Sequence, residues 1–194
     1  MNIVPLISIR KGRILDGKDG DLISIDDLFK QVEKDTMLYV FDLDGIEHNN
    51  PSLDLYQKLT EHFLLWTDDG PRRLDDVMDT IMAGATNITL REELWPEMDL
   101  PGVFEITDDE VYIGIKSTYS QQSLTSLVSQ QNIGVVVFSQ APQINDDFIS
   151  TSFLKNLALK HKIYLYTVSQ NVLPPLEGNY ITGILIDLNK KQTE

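Results

Sequence analysis

The sequence predicts an α/β protein: a compact, degenerate (β/α)8 TIM barrel, with helices shortened or missing after strands four, seven and eight. Two patterns predict the barrel. Eight short runs rich in β-branched and aromatic residues recur at 3–9, 37–43, 62–67, 86–90, 111–115, 133–139, 162–168 and 181–188. Most are apolar nearly throughout rather than alternating, VVVF at 135–138 above all, as strands covered on both faces are. Stripes at helical spacing lie between them, and strands alternating with helices build right-handed βαβ units whose closed eightfold form is this barrel. A third observation predicts the reduced helices: 194 residues fall short of the roughly 200 to 250 usual for the fold. One core and one domain over 1–194 are expected.

The elements follow in order. Ser24 precedes Ile25, Leu28, Phe29 and Val32 at core-facing spacing, with Asp27 placed to complete an N-terminal cap. Leu53, Tyr56 and Leu59 make the second stripe, and Leu74, Val77, Met78, Ile81 and Met82, ended by Gly84, make the third. Between Leu94 and Glu110 the prolines Pro96 and Pro101 leave room for a turn or two of helix, and VFEI there also reads as a strand. Leu124, Leu127 and Val128, then Ile149, Phe153, Leu154 and Leu157, supply the next two helices. The stretch SQNVLPPLEGNY at 169–180 has no helical period, and only NKKQTE follows Leu188.

Sixteen Lys and Arg against 30 Asp and Glu give a formal charge of −14, which excludes nucleic-acid or anionic-membrane binding through bulk charge. No 18-residue apolar stretch occurs, and the basic residues of MNIVPLISIRKGR follow the apolar run. Neither a membrane span nor a secretory signal is expected, and the protein reads as cytoplasmic. The absence of cysteine removes thiolate nucleophiles and zinc-thiolate sites, leaving three histidines, His48, His62 and His161. Catalysis would rest on carboxylates, hydroxyls and lysines.

The sharpest string is YVFDLDGI at 39–46, a strand that delivers Asp42 and Asp44 at its C-terminal end. A DxDG of this kind supplies the nucleophile and acid of haloacid-dehalogenase phosphatases beside Mg²⁺. That chemistry needs its acidic pair last, whereas Asp68-Asp69 come soon after Asp42 and before Ser139, which speaks against it. Taken with their flanks, IVPLISIRKGRILDG, YVFDLDGIEHNN and LLWTDDGPRRLDDVMDTIMAGATNITL resemble the histidine-biosynthesis barrels, the ProFAR isomerase HisA and the cyclase subunit HisF. Pro5, Ile7, Gly12, Asp42, Leu43, Asp44, Gly45, Gly70, Arg72, Ala83, Gly84 and Ala85 stand where that pattern has them. The resemblance covers about the first ninety residues, and beyond them only the strand order matches.

The resemblance implies a barrel for a phosphorylated substrate, with aspartates as acid and base on strands one and five. Those positions hold Ser8 and Gly114, neither of which exchanges a proton as a carboxyl does. The phosphate-cradling glycines after strands three and seven correspond to Asp68-Asp69-Gly70 and Ser169-Gln170-Asn171, and the glycine on strand eight to Asp187. Sulfate or phosphate should bind poorly there. The implied function is a HisA-related barrel that has lost the isomerase pair and cradles and serves as a metabolite-binding or partner-regulating module. The alternative is an isomerase or lyase of altered specificity on a phosphorylated or sugar-like metabolite, metal-assisted or using His48 and Lys116.

At the predicted mouth Asp42, Asp44, Asp68 and Asp69, with Glu92, Glu93 and Asp187, face Arg10, Lys11 and Arg72. Asp42, Asp44, Asp68 and Asp69 would suit one divalent cation, or a cationic ligand; no other cofactor is expected. Equally, they are surface acids of an acidic protein, with Asp68 or Asp69 capping the helix before Leu74. Arg10, Lys11, Asp42, Asp44, Gly70, Arg72 and Ser169 are the candidate ligand-binding residues. His48 is the histidine placed near the mouth, His62 and His161 lie at the opposite face, and Trp66, Trp95, Tyr112, Tyr164 and Tyr166 read as packing. Reduced helices leave strands seven, eight and one without apolar cover, so a homodimer or a heteromeric partner is expected there, with Leu173, Leu176 and Tyr180 in or beside the interface.

Overall fold

The computed structural model describes residues 1–16, 21–116, 133–138, 151–167 and 180–188. The chain opens with β1 (Asn2–Arg10), which turns at Lys11 and Gly12 into β2 (Arg13–Asp16), paired antiparallel with β3 (Asp21–Ile23). Both turn residues have positive φ, 52° and 65°, which glycine adopts freely and lysine at some cost. The helix α1 (Ile25–Gln31) follows, with the Ser24 hydroxyl accepting from the Asp27 N–H at 3.1 Å and donating to its carboxylate at 2.7 Å. Then come β4 (Met37–Asp42), α2 (Leu43–His48), α3 (Leu53–Leu59), β5 (Leu64–Asp68), α4 (Leu74–Met82), β6 (Ala85–Arg91) and α5 (Leu100–Ile106). β7 (Glu110–Lys116), β8 (Ile133–Phe138), α6 (Thr151–Ala158), β9 (Ile163–Thr167) and β10 (Gly183–Asp187) complete the described elements.

Strands β1 and β4 to β10 pair in parallel in chain order, and β10 returns to β1 with Asn2 opposite Gly183 and Leu6 opposite Asp187. This is a closed eight-stranded barrel, as the sequence predicts. Because successive side chains on a strand point to opposite faces, each barrel strand splits its apolar residues between two layers. Val4, Leu6, Tyr39, Trp66, Tyr112, Val136, Tyr164 and Leu185 pack together as the lumen. Ile7, Ile9, Val40 and Leu65 pack outward against Leu28, Leu55, Tyr56 and Leu59 of the helices, and Ile88, Leu90, Ile113 and Val135 against Val77, Val103 and Leu157. Trp66 anchors the lumen, its indole N–H donating to Thr89 Oγ1 at 2.9 Å and its ring 4.0 Å from that of Tyr112. Trp95 is buried in the outer layer, so both tryptophans pack as expected.

Four local expectations change. The β2–β3 hairpin is absent from the sequence reading because strands this short carry too little alternation; Ile14, 2% exposed, and the partly buried Ile23 tie it to the core. The second barrel strand ends at Asp42 rather than 43, because the Asp42 carboxylate accepts from the N–H groups of Asp44 and Gly45, both at 3.1 Å, and starts α2. Asp44 therefore stands in a helix, not at a strand end. Neither Asp68 nor Asp69 caps α4, whose N-cap residue is Arg73 with no side-chain cap. VFEI belongs to α5, a two-turn helix begun by Asp99 accepting from the Gly102 N–H. The stripe at Leu124, Leu127 and Val128 and the reduced seventh and eighth helices lie outside the described residues. No described helix is long and apolar enough to cross a membrane. At the barrel's other end His62 stacks on Phe29 at 4.3 Å, and His161 Nδ1 lies 2.8 Å from the Ile133 carbonyl.

Candidate functional site

In this fold the C-terminal ends of the strands form the face that carries chemistry. On the inward register toward that end stand Ser8 on β1, Phe41 on β4, Asp68 on β5, Arg91 on β6, Gly114 on β7, Phe138 on β8, Tyr166 on β9 and Asp187 on β10, with Arg10 and Lys116 one step further along β1 and β7. The ladders set them side by side, with Ser8 opposite Phe41, Phe41 opposite Asp68, Arg91 opposite Gly114 and Phe138 opposite Tyr166. Ser8 and Gly114 thus lie at the mouth on strands one and five, where the sequence places them.

The centre of this layer is a buried ion pair. Arg91 Nε donates to Asp68 Oδ1 at 2.8 Å and Nη2 to Oδ2 at 2.7 Å, with Asp68 fully buried and Arg91 5% exposed. The Tyr39 hydroxyl also donates to Asp68 Oδ2, at 2.8 Å. The guanidinium lies 5.3 Å from the Phe41 ring centroid and 4.5 Å from that of Phe138, within cation–π range of both. Those rings, carried by strands on opposite walls, come within 6.1 Å, and the Tyr166 ring lies 6.0 Å from Phe138. Burial works against the Arg91 charge, but the adjoining Asp68 carboxylate outweighs it and raises the arginine pKa. Burial, then the Asp68 charge, raises the Tyr39 phenol well above its usual range, keeping it a hydrogen-bond donor.

The other predicted acids hold structure. Asp42, fully buried, accepts at Oδ1 from two α2 amides and at Oδ2 from the Ser52 N–H at 2.7 Å and the Tyr56 hydroxyl at 2.8 Å. Asp69 accepts from Thr80 Oγ1 at 2.5 Å, and its Oδ1 is buried without a partner. Burial first, then the charges of Asp42 and Asp68, push its pKa up to about 7 against the lowering effect of Thr80. Asp44 accepts the Lys11 N–H, and Arg10 forms a two-pronged pair with Glu47 at 2.6 and 2.9 Å. These contacts pin the hairpin to α2 beside a cavity of about 480 Å³ lined partly by Lys11, Asp44 and Lys58. His48 lies 3.7 Å from Asp44 with its side chain 63% exposed. The described residues include no group of three His, Asp or Glu placed to hold a metal ion.

Gly70 has φ 69°, and a Cβ there would come 2.6 Å from Leu94 and 3.0 Å from Ile46. The Arg72 N–H already donates to Asp76 at 3.0 Å, and Arg72 Nη2 to the Ile46 carbonyl at 3.0 Å. Ser169 and the Lys116 side chain lie outside the described residues.

No family model and no curated protein matches this sequence. Among solved structures the fold is similar to that of 3-hexulose-6-phosphate synthase from Salmonella typhimurium, with a TM-score of 0.61 and 10% identity over 97% of this chain and 90% of that one. It is also similar to methylornithine synthase, with a TM-score of 0.54 and 14% identity over 81% of this chain and 58% of that one. The chain is a TIM barrel. At such identities the likeness reaches the fold and stops there, and the HisA/HisF resemblance in particular gains no support from it. Within the barrel, the residues that sequence reasoning missed are Arg91 and the rings flanking it. The signal was present: ITLR and VVVF end apolar strands in an arginine and an aromatic, and a charge closing a buried strand requires a partner.

Proposed function

We propose that this TIM barrel is a HisA-related protein without ProFAR isomerase activity, and that its mouth binds a small metabolite or regulates a partner. One observation carries the reading: Ser8 and Gly114 stand where the HisA-type isomerases carry their two carboxylates, and Arg91, paired with Asp68 and set between the Phe41 and Phe138 rings, lies beside Gly114. A side chain at position 114 would be tightly packed, its Cβ 3.0 Å from both Phe138 Cε2 and Thr89 Cγ2, so those side chains would have to give way. The nearby buried acids do not substitute, because Asp42 is saturated with donors and Asp68 is bonded to Arg91. Purified protein should leave ProFAR unconverted, and so should the Ser8→Asp/Gly114→Asp variant; conversion above background by the unmodified chain would overturn the reading.

A second reading, an enzyme of altered specificity on a phosphorylated or sugar-like metabolite, draws on the fold shared with 3-hexulose-6-phosphate synthase. His48 and Lys116 would be its acid–base groups. It predicts turnover that falls with His48→Ala, whereas the favoured reading predicts saturable binding without turnover.

A further inference from the structure

We infer that the cavity between the β1–β2 turn and α3, beside the barrel mouth rather than in it, binds a small zwitterion of the amino-acid class. Lys11 and Lys58 would hold its carboxylate, Asp54 its ammonium, and Pro51, Leu53 and Leu55 an aliphatic side chain. The inference does not depend on what the mouth does.

Three observations lead to it. The first is the residue chosen for the turn. Arg10 stands opposite Arg13, so Lys11 and Gly12 alone join β1 to β2, both with positive φ. A two-residue turn of this kind favours asparagine, aspartate or glycine at its first position, and here that position holds a lysine. The Asp44 carboxylate accepts the Lys11 N–H and so fixes the backbone, while the Lys11 side chain lines the cavity. A residue kept against its backbone preference points to a use for its side chain.

The second is the state of the charged groups. Lys11, Asp54 and Lys58 line the cavity, and none of the three side chains has a hydrogen-bond or ion-pair partner among the described residues. Asp54 and Lys58 stand four residues apart on α3, a spacing at which an acid and a lysine can pair, yet here they are unjoined. Asp44, the other acid of the lining, is engaged by the Lys11 N–H and lies 3.7 Å from His48. Two free ammonium groups and one free carboxylate around one space suit a ligand carrying both signs. A simple anion would meet Asp54, and a simple cation would meet both lysines. The third is shape. The cavity holds about 480 Å³, a volume usual for small-molecule sites, with Pro51, Leu53 and Leu55 as its apolar wall. That wall is fixed from behind, because the Ser52 N–H and the Tyr56 hydroxyl both donate to buried Asp42, so little ordering remains to oppose binding.

The test uses the full chain and three probes on one carbon frame: L-leucine, 4-methylpentanoate, which lacks the ammonium, and L-leucinamide, which lacks the carboxylate. Titration followed by amide NMR should show saturable leucine binding with shifts at Ser52, Leu53 and Leu55. Each truncated probe should bind about fivefold more weakly, the loss expected of one exposed ion pair. Lys11→Asn, which installs a residue the turn favours and should leave the urea midpoint no lower, should weaken leucine about fivefold. Asp54→Asn should weaken leucine while 4-methylpentanoate binds at least as tightly as before, a change of selectivity that loss of structure would not produce. Equal affinity for the three probes, no saturable leucine binding, a folded Lys11→Asn variant with full leucine affinity, or an Asp54→Asn variant that weakens all probes alike would each overturn the inference. ProFAR conversion would remove the proposed function and leave this site untouched.

Discussion

Asp42 shows how a residue that reads as chemistry in the sequence becomes architecture in the fold. Its two oxygens accept four hydrogen bonds, two of them from the first turn of α2 and two from Ser52 and Tyr56. Asp42→Asn turns one acceptor into a donor facing donors, and should cost about 2 to 3 kcal/mol in urea unfolding. Arg91→Met, leaving Asp68 buried and unpaired, should cost about 3 to 5 kcal/mol, while adding Asp68→Leu should restore a large part of it. Asp69 sets a pH dependence. Its carboxyl rises from 3.8 to about 7 in the fold, so the folded state holds this proton more tightly than the unfolded chain. Its contribution is complete below pH 4 and lost as pH climbs through 7. Asp69→Asn should therefore gain stability relative to the unmodified protein between pH 4 and 7, with a constant difference above; a difference independent of pH would contradict this assignment.

The loop between β5 and α4, with α2 beside it, is the element where family resemblance and actual structure part. The TDDGPRR string keeps Gly70 and Arg72, and Gly70 keeps its positive φ. Yet the Arg72 N–H donates to Asp76, and a Cβ at position 70 would meet Leu94 and Ile46. Crystals grown in sulfate should leave this loop empty, and a sulfate held by the N–H groups of Gly70 and Arg72 would contradict the account. Helices α1, α3 and α4 were legible because each buries a stripe at helical spacing, such as Leu55, Tyr56 and Leu59. Helix α2 was not, since LDGIEH has no such stripe and forms because Asp42 caps it. The same limit hid the site: strand periodicity shows that Arg91 and Phe138 end strands, but only barrel closure brings them to one point.

At the scale of the whole molecule, closure is the feature the sequence shows best, because eight apolar strands in alternation with helices have few other ways to bury both faces. The outer cover is less uniform. Ile3 on the outer face of β1 is 58% exposed, on the flank shared with β10. We propose that a second copy or a partner covers this flank, and light scattering should give a particle of at least twice the chain mass; a monomer with no partner recovered from the native cell would contradict it. The central proposal is that this TIM barrel, read as HisA-related, does not catalyse ProFAR isomerisation. The most direct measurement is a sensitive assay of ProFAR isomerisation by the purified, unmodified chain. The account predicts no conversion above the uncatalysed rate, even at high protein concentration, and conversion that saturates with ProFAR and scales with protein would contradict it.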